Sequence, residues 1–419
     1  STGNAGPDFN GAVRAGDNLF SASIVAVDVR TGEYRWHFQE VHHDLWDYDA
    51  PNPVVLFDLE IDGVQRKGLA QAGKTGWVYI LDRTNGEPLI GIEERAVPQE
   101  PRQATAATQP FPIGDAFVPL SMEVAPEGFE LINRGGVFTP YWTDYVLAKP
   151  GLRGGANWPP SSVDIETGYI YVCAADGASA FRAWEITDEL PPTGEFYIGG
   201  NFGINPMPLF GVFAALDLRT NRLVWQQHWP ERCLSGSVTT AGGLVFVGRN
   251  DGRLTALDSA TGARLWEFQT GSGVNAPASV FEHDGRQYVA VHSGGHVQGG
   301  ARGDSVWLFS LSGTLDEVAE ATQQSTSRAS SNSSAAVSLE GGRAAYVNSC
   351  VFCHGADGTG GHGGPAFTSE RSADEIQRIV SAGRNLMPAF GNFLDEAAVA
   401  NVSAWVLELA RRAEEAQSN

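Results

Sequence analysis

An all-β body followed by a small all-α unit is the fold class the sequence predicts, on three observations. Short runs of Val, Ile, Leu, Tyr and Phe, broken by turn residues roughly every ten positions through residue 313, mark sandwiches, barrels and propellers. Within that part an eleven-residue pattern recurs. Past residue 339 the apolar spacing becomes that of helices, and the intervening 314–339 are Ser-rich and poor in apolar side chains, the composition of a flexible linker. At 419 residues the chain exceeds one average domain, in keeping with a division into 1–313, 314–339 and 340–419.

The repeated pattern is AVDVRTGEYRW at 26–36, ALDLRTNRLVW at 215–225 and ALDSATGARLW at 256–266, all of the form A-x-D-x-x-T-x-x-x-x-W. Weaker echoes are ILDRTNGEPLI at 80–90 and VDIETGYIYV at 163–172. Each reads as a strand ending at Asp, a tight turn in which Asp and Thr hold the backbone and Gly or Asn supplies a positive φ, and a return strand carrying Trp. A Trp at one fixed place per repeat fills the gap between neighbouring sheets, which is how a β-propeller buries what one blade leaves open. A sandwich with chance similarity between hairpins is the competing reading, and three matches in one register weigh against it. The propeller is expected to end near SVWLFSL at 305–311.

Lys plus Arg number 28 against 49 Asp plus Glu, a net charge of −21. That balance argues against a nucleic-acid partner, because phosphate neutralisation dominates such binding. No apolar run approaches the roughly 18 residues that span a bilayer, so no transmembrane segment is expected in this chain. No signal peptide is visible, but STGN stands as the middle of a motif, and the natural start is expected upstream. Cys173 and Cys233 lie 60 residues apart without metal-type spacing and read as buried thiols before they read as a disulfide.

The other two cysteines form Cys350-Val-Phe-Cys353-His354. This is attachment chemistry for haem c: two thiols form thioethers with the vinyl groups, and the adjacent imidazole lies under the iron. A bare pair of thiols also suits zinc or redox chemistry, but no second pair completes a zinc site and the following His decides for haem. The sixth ligand is expected from Met387 in NLMPAF, since Met followed by Pro between two helices is poor core placement. The flanking helices are expected at 372–382, with Ser372 and Glu375 as a capping box and Gly383 beyond its end, and at about 395–413, with Val399, Val402, Val406 and Leu409 on one stripe. Helix, CxxCH, Gly/Pro loop, helix, Met and helix together resemble a small class I cytochrome c over 340–413. The resemblance implies covalent haem and a periplasmic or other extracytoplasmic location.

An electron carrier fused to a propeller needs an electron source. The segments STGNAGPDFNGAVRAGDNLFSASIVAVDVRTGEYRW, HHDLWDYDAPNPVVLFDL, GKTGWVYILDRTNGEPL, GGANWPPSSVDIETGYIYV and TTAGGLVFVGRNDGRLTALDSATGARLWEFQTGSGVNAPASV, in that order, resemble the second half of a quinoprotein dehydrogenase that uses pyrroloquinoline quinone (PQQ). With the cytochrome, the chain resembles the quinohaemoprotein alcohol dehydrogenases. That resemblance implies an eight-bladed propeller holding PQQ over its channel beside a Ca²⁺ or lanthanide ion, with Asn4 as a metal ligand through its amide oxygen. It implies Asp47 as catalytic base beside the metal, Lys74 on the reactive quinone carbonyl, and Asn157 and Trp158 along the cofactor's edge. Trp46 would help exclude water. Asp49, two residues after Asp47, would return to the same face of an extended segment, and an added Asp there accompanies lanthanide use in methanol dehydrogenases. The implied reaction is hydride transfer from an alcohol to the quinone, with single electrons passed to the haem and on to a cytochrome c or quinone acceptor.

Two rival readings stand beside this one. HHDLWD is closer to membrane glucose dehydrogenases, making a sugar the alternative substrate, and His42 and His43 read equally as packing groups or substrate contacts. Outer-membrane assembly lipoproteins share Trp-bearing repeats but need neither WDYD, Lys74 nor a haem domain. Measured against the family, 1–419 lack its glutamate metal ligand, its quinone-stacking Trp and its adjacent cysteines, and supply roughly four or five of eight blades.

Overall fold

The computed structural model describes residues 1–186, 197–204, 207–295, 301–319, 337–350, 354–355, 357–360, 364–384, 387, 390, 394 and 396–418. Cys353 and the larger part of the expected linker lie outside them. The chain divides into two compact units, Ser1–Trp184 with Ile204–Gln323, and Glu185–Gly203 with Gln324–Asn419. Among the described residues no helix is long and apolar enough to cross a membrane.

The first unit is a series of antiparallel sheets in which most strands pair with their neighbour in sequence, as propeller blades do, while Tyr169–Asp176 pairs with Phe210–Asp217 across an insertion. Ser23–Val27 pairs with Tyr34–Gln39. Val55–Ile61, Val64–Ala72 and Val78–Asp82 form the next sheet. Two four-stranded meanders follow, Ser162–Asp164, Tyr169–Asp176, Phe210–Asp217 and Arg222–Trp229, then Ser237–Thr240, Leu244–Gly248, Arg253–Asp258 and Arg264–Gln269. The last sheet is Ser279–His283, Arg286–Ser293 and Ser305–Phe309. A hairpin of Ile92–Ala96 and Thr108–Pro112 and the pair Val146–Ala148 with Ser179–Ala183 stand outside this series.

The sequence repeat has a structural cause. In all three copies the leading Ala lies directly across from the closing Trp, as Ala26 with Trp36, Ala215 with Trp225 and Ala256 with Trp266, and the register shifts just after that Ala. A small residue opposite the indole leaves room for the ring, and the irregularity closes the turn. The turn is held as expected: Asp28 accepts from the amides of Arg30 and Thr31, Asp82 from Thr84, and Asp258 from Thr261. The hydroxyls of Thr84 and Thr261 hold the Asp82 and Asp258 carboxyls below the usual carboxylate range.

Each docked Trp rests on a glycine of another sheet's turn. A Cβ at Gly86 would stand 2.5 Å from the Trp36 indole, and one at Gly262 would stand 2.5 Å from that of Trp225. Where the pattern lacks Trp, at Ile90, the turn carries Asn221 in place of Gly, and its carboxamide donates to the carbonyls of Val78 (3.0 Å) and Ile113 (3.2 Å). Among the described residues Trp266 has no such glycine; it is 39% exposed and packs on Phe268 and Phe309. Between the sheets lie apolar layers, with Phe57, Leu59, Ala70 and Ile80 against Ile170, Val172, Val212 and Ala214, and Tyr171 and Phe213 against Val245 and Leu257.

Cys173 and Cys233 are a disulfide, contrary to the reading as separate thiols. The sequence separation hides that Cys173, on the strand Tyr169–Asp176, and Cys233, in the loop before the next sheet, come to a Cα separation of 5.3 Å, within bridging range.

Among the described residues of the second unit the helices are Leu339–Ser349, Ala373–Ala382 and Glu396–Ser418, the last extending beyond its expected end. Ser338 and Ser372 cap the first two, accepting from the amides of Gly341 and Glu375. The first and last helices cross at Gly342, where a Cβ would stand 2.1 Å from the Asn401 carbonyl oxygen. Tyr346, Ile376, Val380, Val399, Val402, Val406 and Leu409 form the core.

Gly262 and Gly285 share a φ of +71°, but only Gly262 faces an indole, while nothing lies within 4 Å of a Cβ at Gly285. Gly285→Ala is expected to cost about 1 kcal/mol through the backbone alone, and Gly262→Ala roughly 2–3 kcal/mol more through displacement of Trp225. Urea unfolding of both variants checks this.

Candidate active site

The loop that carries the acids is pinned by aromatic side chains rather than by a strand ladder. Trp46 is buried, its Nε1 donates to the Thr139 carbonyl (2.8 Å), and its ring stacks on Tyr48 with centroids 5.8 Å apart. Phe138 meets both rings edge-on. The Tyr48 hydroxyl donates to the Pro150 carbonyl, and that of Tyr141 to the Leu45 carbonyl. Between these anchors Asp47 takes a φ of +60°. This left-handed conformation costs about 1 kcal/mol and persists only where surrounding contacts enforce it.

Asp47 and Asp49 meet at one ammonium. Lys74 Nζ lies 3.0 Å from Asp47 Oδ2, 2.7 Å from the Asp47 carbonyl and 2.6 Å from Asp49 Oδ1, with the Lys74 side chain only 5% exposed. The latter contact is a close ion pair whose angle is not that of a hydrogen bond. The two acids therefore share a partner, but not because the segment is extended; the left-handed turn at Asp47 brings it about.

Burial pushes the Asp47 carboxyl up to about 7, with Asp49 and Asp44 adding to the rise and Lys74 opposing it. For Lys74 burial pulls downward, yet Asp47 and Asp49 outweigh it and the net direction is up. A carboxyl poised near neutrality beside a fixed positive charge can take up and release a proton at working pH.

GKTGW and GGANW are two sides of one contact. Gly154, at φ +70°, approaches so closely that a Cβ would stand 2.4 Å from Lys74 Cγ, and the Gly155 amide donates to the Lys74 carbonyl (2.8 Å). Asn52 ties the acid loop to the same segment, its Nδ2 donating to the carbonyls of Asn157 (2.9 Å) and Pro159 (2.7 Å). Asn157 turns its Nδ2 to the Arg153 carbonyl (2.9 Å) and accepts from the Trp158 amide, and Trp158 is 40% exposed.

Further polar groups surround the pair. Asp44 is buried; Oδ1 accepts from the Trp46 amide (2.9 Å), Oδ2 has no partner among the described residues, and burial pushes the carboxyl up to about 6. Neither carboxyl oxygen of Glu40 has a hydrogen-bond partner among them, and burial, then Asp49, pushes its pKa well above the usual range. Burial raises Asp8, while Asn4 beside it tempers the rise, although the buried Asn4 Nδ2 completes no hydrogen bond of good geometry. Arg14 donates to the carbonyls of Asp44 and Asp8. His42 and His43 are engaged elsewhere: His42 with Gln39 and Glu94, and His43 with the carbonyls of Gly16 and Gln103.

The donors fit a hard cation in kind. Asp47, Asp49 and the Asn4 amide supply the oxygens such an ion prefers, but they are a partial set, and no group of three or more His, Cys, Asp or Glu among the described residues forms a metal site. The glycines at 154 and 155 let the GGANW backbone pack directly on the stem of Lys74 and on Gly76, and Trp158, partly exposed beside them, offers a flat surface of the kind a quinone stacks on.

In the second unit His354 Nδ1 stands 3.0 Å from the Pro365 carbonyl, and its ring stacks on Phe367 with centroids 4.7 Å apart. That bond sets the tautomer, with the proton on Nδ1 and the lone pair on Nε2, the orientation a ligating His usually has. Cys350 is buried beside it in the chain, and Met387 packs against the helix core. Sequence reasoning passed over Glu40, Asp8, Arg14, Asn52, Gly154 and Pro365; the doubled glycine before Asn157 was the one visible sign of close packing.

Residues 1–191 match the family model of the glucose/ethanol/alcohol dehydrogenase β-propeller domain, 210–353 that of outer membrane protein assembly factor BamB, and 337–406 that of cytochrome c oxidase cbb3-type subunit III. A quinohemoprotein alcohol dehydrogenase of Comamonas testosteroni is 34% identical over 386 residues, covering 85% of this chain and 50% of that protein. The crystal structure of quinohemoprotein alcohol dehydrogenase from that organism matches with a TM-score of 0.59 at 29% identity, over 98% of this chain and 61% of the other. A europium-containing methanol dehydrogenase matches with a TM-score of 0.54 at 28% identity, over 71% and 48%. The chain spans about half the length of the curated relatives it matches.

Asp44 gives a pH test independent of any ligand. Its folded pKa, about 6, lies above the ordinary 3.8, so the fold favours the protonated form. The stability this contributes is present below about pH 4 and lost as pH rises through about 6. Asp44→Asn is expected to remove about 2 kcal/mol of that decline, read by urea unfolding from pH 4 to 7. Parallel stability curves for variant and wild type would contradict the assignment.

Proposed function

We propose that this chain, by its similarity a member of the PQQ-dependent quinoprotein dehydrogenases, forms the base-bearing side of the active site of a periplasmic alcohol dehydrogenase and carries its cytochrome. The observation that carries this reading is Lys74 held between Asp47 and Asp49 and packed against the GGANW loop. In this proposal 1–313 are propeller, 314–339 linker and 340–419 the cytochrome domain.

Asn4, Asp47 and Asp49 would hold Ca²⁺ or a lanthanide, and Lys74, Asn157 and Trp158 would hold the quinone. When bound, the quinone supplies the hydride acceptor and the cation Lewis acidity. Asp47 takes the hydroxyl proton of the alcohol, a role suited to a carboxyl tuned near 7. Lys74 keeps its proton and would offer a hydrogen-bond donor to the quinone. Trp46 and Tyr48 seal the floor beneath Asp47. Cys350 and Cys353 would attach haem c, with His354 and Met387 as axial ligands, and electrons would leave for a cytochrome c or quinone. The Cys173–Cys233 disulfide supports an oxidising compartment.

An alcohol is favoured over a sugar. The histidines behind the sugar resemblance have every ring nitrogen within hydrogen-bond distance of a protein oxygen.

In the enzyme that contains this chain, Asp47→Asn is expected to lower kcat by about 10²–10⁴ while the haem c absorbance per protein stays unchanged. Activity within about tenfold of wild type would move proton abstraction to another group.

A further inference from the structure

Beside the GGANW loop lies a cleft whose charge the reaction does not use. It is lined by Arg153, Asn157 and Trp158 on one side and by Arg232, Cys233 and Cys173 on the other. Its cavity volume is about 20 Å³, room for a small group and not for a whole cofactor. Gly155 is common to this cleft and to the Lys74 contact, since its amide donates to the Lys74 carbonyl.

The two guanidiniums come from separate parts of the propeller. Arg153 precedes the paired glycines, and Arg232 stands beside a disulfide cysteine in the loop before Ser237–Thr240. Burial lowers the pKa of both; Arg232 is pushed down to about 10, by burial first and by the charge of Arg153 second. Two like charges converging on a half-enclosed cleft, in a chain of net charge −21, make a local site for an anion. Guanidinium selects planar, bidentate oxyanions, and the exposed Trp158 ring adds a flat wall for an aromatic ligand.

We infer that Arg153 and Arg232 bind a carboxylate group of pyrroloquinoline quinone, an aromatic tricarboxylate, as its ring lies along Asn157 and Trp158. This rests on the proposed function. Arg232 is held in register by the Cys173–Cys233 disulfide, which fastens the neighbouring residue to the strand Tyr169–Asp176. Binding needs no proton or electron transfer at these residues.

The test is equilibrium binding of PQQ to the cofactor-free enzyme containing this chain, followed by tryptophan quenching at several salt concentrations. Arg153→Ala and Arg232→Ala are each expected to raise Kd about tenfold or more and to weaken its salt dependence, while Arg232→Lys recovers part of the loss. The PQQ trimethyl ester should bind wild type weakly and the variants no worse. Cys173→Ser with Cys233→Ser should move Kd in the direction of Arg232→Ala. Wild-type affinity in both Arg variants, or equal binding of acid and ester, overturns the inference and leaves the proposed function standing. Failure of the wild type to bind PQQ overturns both. Should an Ala variant not fold, the Lys variant and the ester comparison carry the decision.

Discussion

A lysine buried between two aspartates is the constraint on which the rest of the site depends. Removing an ammonium and two carboxylates from water costs several kcal/mol per ion, and only close, mutual pairing offsets that cost. Lys74 meets both acids within 3.0 Å, so none of the three can be moved without stranding a buried charge. The surroundings follow from this need. The left-handed backbone at Asp47, the aromatic stack of Trp46, Tyr48 and Phe138, and the bare backbone at Gly154 all serve to hold the three groups in contact. Burial also raises the Asp47 carboxyl to about 7, so one packing arrangement both fixes the acid and tunes it.

The propeller sheets make such a site possible because their connections are rigid. Indole over glycine, as in Trp36 over Gly86 and Trp225 over Gly262, locks neighbouring sheets together away from the acids. Loops between strands can then take unusual shapes without loosening the scaffold. The disulfide extends the same logic to the cleft at Arg153 and Arg232, where a loop carries charge and has little ladder of its own.

Much of this was legible from residue types. The Asp, Thr, Gly and Trp of the repeat each do one local task, so the turns, the Ala–Trp register and the capped helix at Ala373–Ala382 could be read directly. WDYD and GKTGW pointed to residues that meet in space because order along the chain constrained them strongly. What escaped was long-range. Nothing local says that Cys173 and Cys233 face each other, that Asn52 ties the acid loop to Pro159, or that Arg232 comes to line a cleft with Arg153. Extended geometry at 47–49 was the wrong route to a shared partner, because anchors outside the segment dictated its backbone.

The most direct test of the central interaction is a double-mutant cycle on unfolding stability with Asp47→Asn, Lys74→Met and the two combined. The pairing described here predicts a coupling energy of about 2–4 kcal/mol, with the double variant more stable than the two single losses would add up to. Additive losses, with coupling below about 0.5 kcal/mol, would show that Asp47 and Lys74 are neighbours without dependence and would contradict the account.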